Sequence, residues 1–224
     1  MAKSQNLNFT QNINNVYVDF FSSDKLSVVS VSTNNNGNNL TAGTRTFTAA
    51  AGTVQTGGSA ASWTATVTDS RIVGQPVLVN KGDYFVTPTA AANPATVDTG
   101  SSNATWNLRV EYYKELYTAS SNDAVVKSIN VASFDTAARV MSLWLVGTDN
   151  QPILIGAVNI PLRSGDNGTA AAVDLLNGTL IPSLPYDANG KRVIIIKAGQ
   201  KLAVSVPLVT AGTQINVTAS IEEY

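Results

Sequence analysis

Apolar and polar residues alternate with a period of two along most of the chain. That spacing puts apolar side chains on one face of an extended strand and polar ones on the other. Val16–Phe21 and Leu26–Val31 are short strands of this kind. In Ser62–Val67, Trp63, Ala65 and Val67 share one face and Thr64 and Thr66 the other. In Thr105–Tyr112, Trp106, Leu108, Val110 and Tyr112 oppose Asn107, Arg109 and Glu111, the signature of a half-buried antiparallel strand. Further strands are expected at Val125–Val131, Arg139–Val146, Ile153–Ile160, Val193–Lys197, Leu202–Val206 and Gln214–Ile221. Val193–Ile196 is a β-branched run that needs burial in the fold or in a subunit contact. Thr169–Leu176, Ala-rich and ending at Asn177-Gly178, is the single helical candidate.

Asn- and Gly-rich turns separate these runs, and residues 89–104 form a long loop of small residues. A weak internal repeat sets Asn80–Val86 beside Lys197–Ala203, with Gly82 on Gly199. Each copy is followed by a loop and a final strand, Trp106–Tyr112 or Ile215–Ile221, and Ser27–Ser32 likewise matches Ser128–Ser133. The expected fold is all-β: two tandem antiparallel β-sandwich, jelly-roll-like domains, residues 16–117 and 122–224, joined across the polar stretch YTASSND, with an extended N-terminal arm over residues 1–15. The arm scatters Leu7, Phe9 and Ile13 among Gln, Asn and Thr, too little to bury alone and too apolar for a solvated tail. These three are the candidate interface residues.

Composition narrows the function. Of 224 residues only 13% are charged, about half the usual ~25%, and the net charge is −1. Residues 1–116 hold seven basic and seven acidic side chains, and residues 117–224 seven and eight. No basic stripe is available to neutralise phosphates, and no polybasic or amphipathic segment to hold a membrane, so neither nucleic acid nor membrane is expected as a partner. MAKSQNLNFT lacks the apolar stretch of a secretory signal, so the six N-x-[ST] sequons read as products of an Asn/Thr-rich composition. With no Cys and no His, disulfides, thiolate metal sites and the commonest general base are excluded. No cofactor is expected.

The remaining motifs have structural readings. Ser22-Ser-Asp-Lys25 matches S-x-x-K but lies between strands, where the two side chains do not share a helix face, and no S-D-N or K-T-G accompanies it. Glu222 and Glu223 are adjacent on a strand and face opposite ways, while Glu111 and Glu115 read as a solvated rim. Asp187–Arg192 lacks the first Gly of a phosphate loop, having Pro185 there, and reads as a hairpin turn. The Asp/Asn clusters at 98–103 and 166–168 suit Asx turns better than Ca²⁺. Trp106 and Trp144 read as core; Trp63, at a strand start, is the most open to an exposed role such as a sugar platform. These readings point away from an enzyme.

The order of elements in Val125–Tyr224 carries a resemblance. It runs through Val126-Lys-Ser-Ile-Asn-Val131, Ala138–Leu145, Ala172–Asn177, Leu180–Pro185, the turn Lys197-Ala-Gly-Gln-Lys-Leu202, Ala211–Val217 and a terminal Glu223-Tyr224. This pattern resembles small β-sandwich virion proteins of tailed bacteriophages. The resemblance implies a structural virion protein, made in the host cytoplasm, that decorates and stabilises a capsid by bridging its subunits. It implies as partners the major capsid protein or another virion protein, and copies of the chain itself in a homotrimer. A tail or neck component, or a carbohydrate- or host-receptor-binding sandwich, is the alternative.

Overall fold

A computed structural model describes residues 12–35, 42–48, 60–69, 71–82, 105–166 and 169–224. Every strand pair formed by these residues is antiparallel, and they contain no helix. The strands in chain order are β1 (Asn12–Phe21), β2 (Leu26–Asn35), β3 (Gly43–Thr48), β4 (Ser62–Thr68), β5 (Arg71–Asn80), β6 (Thr105–Thr118), β7 (Ala124–Ser133), β8 (Arg139–Val146), β9 (Pro152–Ile160), β10 (Val173–Asp174), β11 (Ile194–Ile196), β12 (Lys201–Val206) and β13 (Gln214–Glu223). A front sheet has the order β1-β13-β7-β10, with β11 also along β7. A back sheet has the order β2-β6-β12-β8-β9, and a small sheet the order β3-β4-β5.

Alternation builds the main core between the front and back sheets. Phe20, Ile129, Ile215 and Val217 come from the front sheet, and Met141, Leu143, Leu202 and Val204 from the back. Each is essentially fully buried, contributing ~1.5–3 kcal/mol by leaving water. A second core lies under the small sheet, where Phe47, Trp63, Val67 and Ile72 meet Val28. Trp63 is fully buried there, which removes it as a sugar platform. β6 joins the two cores with a single face: Tyr112 and Leu116 belong to the first, and Leu108 and Val110 pack against the second.

Strand pairing crosses the expected domain boundary at 117–122. β1 lies along β13 over its whole length, from Asn12↔Glu223 to Phe21↔Gln214, and β6 lies along β12. One sandwich therefore draws strands from both expected units, and β3–β5 form an insertion between β2 and β6. The repeated pattern has a different meaning. β2 pairs with β6 in the back sheet as β7 pairs with β13 in the front, so similar strands fill equivalent places in facing sheets. Gly82 and Gly199 do share a left-handed backbone, at φ +67° and +80°.

Two other expectations change. Residues 12–15 of the expected arm are strand, paired with Ser220–Glu223. Thr169–Leu176 is not a helix: Val173–Asp174 pairs with β7, and the Leu175 N–H donates to the Ile129 carbonyl at 2.8 Å. That bond secures Leu175 and Leu176 in the main core, a tertiary gain that outweighs the local helix preference of a short Ala-rich run. The Ile194–Ile196 strand buries Ile194 and Ile196 against β7 and exposes Ile195.

Candidate assembly face

In β1, Val16, Val18 and Phe20 point into the sandwich, so Ile13, Asn15, Tyr17, Asp19 and Phe21 point away from it. Three of these outward residues are large and apolar, and they are exposed: Ile13 58%, Tyr17 75% and Phe21 39%. They form a stripe along the edge of the front sheet. Next to it β13 presents Asn216, Thr218, Ser220 and Glu222, and β7 presents Ser128 and Asn130. The Asn216 amide donates to Asp19 at 2.5 Å. Lys127 reaches Glu222 at 3.2 Å and Asp187 at 3.7 Å. The face is thus an apolar ridge beside a nearly neutral field of short amides and hydroxyls.

At its Phe21 end the stripe opens into a cleft of about 470 Å³ lined by Phe21, Ser22, Ser23, Phe134 and Gly212–Gln214. A buried acid fixes the far wall. The Asp135 carboxylate accepts from Arg139 Nε at 2.8 Å, the Thr210 N–H at 3.0 Å, the Thr210 hydroxyl at 2.5 Å and the Ala137 N–H at 2.9 Å. Burial alone would raise its pKa; these donors outweigh burial and hold it well below the usual carboxylate range. Phe134, which donates its N–H to the Gln214 carbonyl at 2.9 Å, is thereby held facing the cleft.

The S-x-x-K segment is the β1–β2 turn. Phe21 and Asp24 exchange bonds there, N–H to Asp24 Oδ2 at 2.9 Å and Asp24 N–H to the Phe21 carbonyl at 3.0 Å. Asp187 caps its own hairpin by accepting the N–H groups of Asn189 and Lys191, each at 2.9 Å. Glu222 and Glu223 do face opposite ways, Glu222 to Lys127 and Tyr224, and Glu223 to the Tyr117 hydroxyl. Of the candidate interface residues, Ile13 lies in the exposed stripe, while Leu7 and Phe9 lie outside the described residues, as do the side chain of Trp106 and the 98–103 cluster.

Glu111 is not on a solvated rim. It is 4% exposed, on the face of the back sheet turned away from the main core. Its carboxylate accepts from Arg109 Nε at 2.6 Å and from the Ser205 hydroxyl, which in turn accepts from Trp144 Nε1 at 2.7 Å. Arg109 also donates to Ser142 at 2.6 Å and lies 5.1 Å from the Trp144 ring centre. An Arg-x-Glu pair on one strand face, among apolar neighbours, was the available signal. Toward the other end of β6, Lys81 lies 3.5 Å from the Tyr113 ring centre, in a cleft of about 360 Å³ shared with Glu115. Burial, assisted by the Lys201 charge and opposed by Glu115, lowers the Lys81 amine to about 8.

No family model matches the chain, and no curated protein matches it.

Proposed function

We propose that the protein is a structural virion protein that decorates a bacteriophage capsid and stabilises it by bridging capsid subunits. The observation that carries this reading is the Ile13–Tyr17–Phe21 ridge, exposed beside a neutral field of Asn, Ser and Thr. Short neutral polar groups lose little when dehydrated, provided the partner supplies hydrogen bonds. The apolar ridge supplies the favourable term, and the cleft beside Phe134 gives it a recess to key into. A stable contact buries ~800 Å² per partner, and repetition over a lattice multiplies weak contacts into firm attachment. The resemblance of Val125–Tyr224 to phage virion proteins supports the same role. Leu7 and Phe9 continue the odd-numbered apolar spacing ahead of Ile13, which extends the proposed contact along the chain.

Binding to purified phage shells stripped of the protein tests this. The double variant Ile13→Ser, Phe134→Ser is expected to lose at least tenfold in affinity, a loss of ~1.4 kcal/mol, while its thermal unfolding stays close to that of the parent. Parent-like binding by the double variant, or no binding by the parent, sinks the proposal.

A further inference from the structure

We infer that β1 is a self-complementary edge that pairs antiparallel with β1 of a second copy about a two-fold axis at Tyr17. The first observation is an unprotected edge. Exposed edges invite pairing with other chains, and proteins blunt them with short strands, bulges, Pro, Gly or Lys. Other edges among the described residues carry such devices. β10 and β11 have two and three residues. β9 begins at Pro152, contains Gly156 and shifts register against β8. β5 contains Gly74 and Pro76 and pairs irregularly with β4. β2 shifts register twice against β6, and its Val28 N–H donates to the Lys81 carbonyl at 2.9 Å. β1 is ten residues long with unbroken register and no Pro, Gly, Lys or Arg. Phe21 is occupied by the turn to Asp24, which leaves Ile13–Phe20 as the open edge.

The second observation identifies the occupant. An antiparallel pair of identical strands must have its two-fold axis at a residue, because hydrogen-bonding groups alternate sides along each strand. An axis at Asp19 sets two carboxylates opposite each other. An axis at Val16 sets Ile13 against Asp19, and an axis at Val18 sets Tyr17 against Asp19. An axis at Tyr17 sets Tyr17 against Tyr17 and Asn15 against Asp19 within the open edge, and brings the Ile13 and Phe21 side chains opposite each other at its end, where Phe21 keeps its backbone bonds to Asp24. Every outward pair then matches: aromatic with aromatic, apolar with apolar, amide donor with carboxylate acceptor. The inward pairs are Val16 with Val18 and Asn14 with Phe20. An axis at Asn15 also matches its outward pairs, but it joins only residues 13–17 of the open edge and sets no described residue opposite Asp19. The axis at Tyr17 joins residues 14–20 and sets the single charge of the strand against an amide of its partner. The product is a continuous β13-β1-β1-β13 surface that carries the Ile13–Tyr17–Phe21 ridge twice, with the two Tyr17 rings at its centre.

The inference stands without the decoration reading and deepens it by doubling the proposed docking face. Pairing of one edge buries less than the ~800 Å² per partner of a standard interface, so it is concentration-dependent. Light scattering and sedimentation over a series reaching ~1 mM, where an association with a Kd of that size is half formed, are expected to show growth from monomer to dimer. Tyr17→Glu and Tyr17→Lys each place like charges directly opposite and should each stay monomeric. An equimolar mixture of the two places Glu against Lys and should recover the dimer mass. Tyr17 is 75% exposed, so both variants should unfold near the parent's temperature. A parent that stays monomeric overturns the inference, as do single variants that still dimerise or a mixture that does not recover. A parent monomer whose β1 amides become protected on shells would show that a shell strand takes the edge, which overturns self-pairing and leaves decoration intact. A dimer with no affinity for shells would overturn decoration alone.

Discussion

The two large sheets each carry polar side chains on the face turned away from the core they share, but the faces are built differently: the back one also packs Val29, Trp144, Val146 and Ala203 into a small apolar cluster. On the back sheet, Glu111, Ser142 and Ser205 are buried and linked through Arg109 and Trp144 into one network. On the front sheet, Asn130 and Thr218 are exposed and held only locally, the Thr218 hydroxyl lying 3.5 Å from the Asn130 carbonyl. The acids make the same contrast. Asp135, at the end of the front sheet, is fully buried among donors, whereas Asp19, on the face itself, shares one bond with Asn216. Polar side chains that are buried must be satisfied inside the chain and so contribute to stability. Polar side chains left in water are free to bind something else.

Substitutions can break this contrast, and the largest effect is expected at Asp135. Removing one partner of a buried pair leaves the other uncompensated, so Asp135→Ala should lower stability by ~3–5 kcal/mol at neutral pH, measured by denaturant unfolding. The sign of its pH dependence follows from its lowered native pKa. The native carboxylate binds its proton less readily than the unfolded one, so its stabilisation is complete above about pH 4 and is lost as pH falls toward the native value. The gap between parent and Asp135→Asn should therefore narrow in acid; a gap that stays constant below pH 4 would contradict the charged clasp.

Glu111→Ala comes next. It leaves the Arg109 guanidinium and the Ser205 hydroxyl without their shared acceptor, at a cost of ~2–3 kcal/mol. Arg109 is partly exposed and can recover water, which keeps this below the Asp135 effect. An Asp135 loss smaller than the Glu111 loss would reverse the order argued here. Thr218→Ala, on the open face, should change stability by no more than ~0.5 kcal/mol. A loss above ~1 kcal/mol there would mean that the front face, like the back, is structural.

Strand positions were largely legible in the sequence because one face of each strand packs on a core. Val125–Val131, Arg139–Val146 and Gln214–Ile221 all fall within observed strands. β5 was not, since Gly74 and Pro76 interrupt the alternation of Arg71–Asn80. β3 is short and set among turn residues. Long-range pairing was also hidden: nothing local to Val16–Phe21 shows that it lies beside Gln214–Ala219 and not beside Leu26–Val31. Of the candidate face, Ile13 was readable as an apolar residue in polar company. Tyr17 and Phe21 were not, because alternation alone does not tell which face of β1 meets the core when both carry apolar side chains. The Asp135 clasp was invisible for a related reason: Thr210, which completes it, is 75 residues away in the chain.

The pairing of β1 with β13 also decides how the molecule bears load. Asn12 lies opposite Glu223, so the ends of the two strands leave the sheet from the same side. A pull applied between those ends opens the ladder one rung at a time, like a zipper, whereas strands pulled from opposite ends resist through all their rungs together. Tension along the backbone therefore finds the molecule at its weakest. Pressure spread across the front sheet is carried instead by the packed interior beneath it.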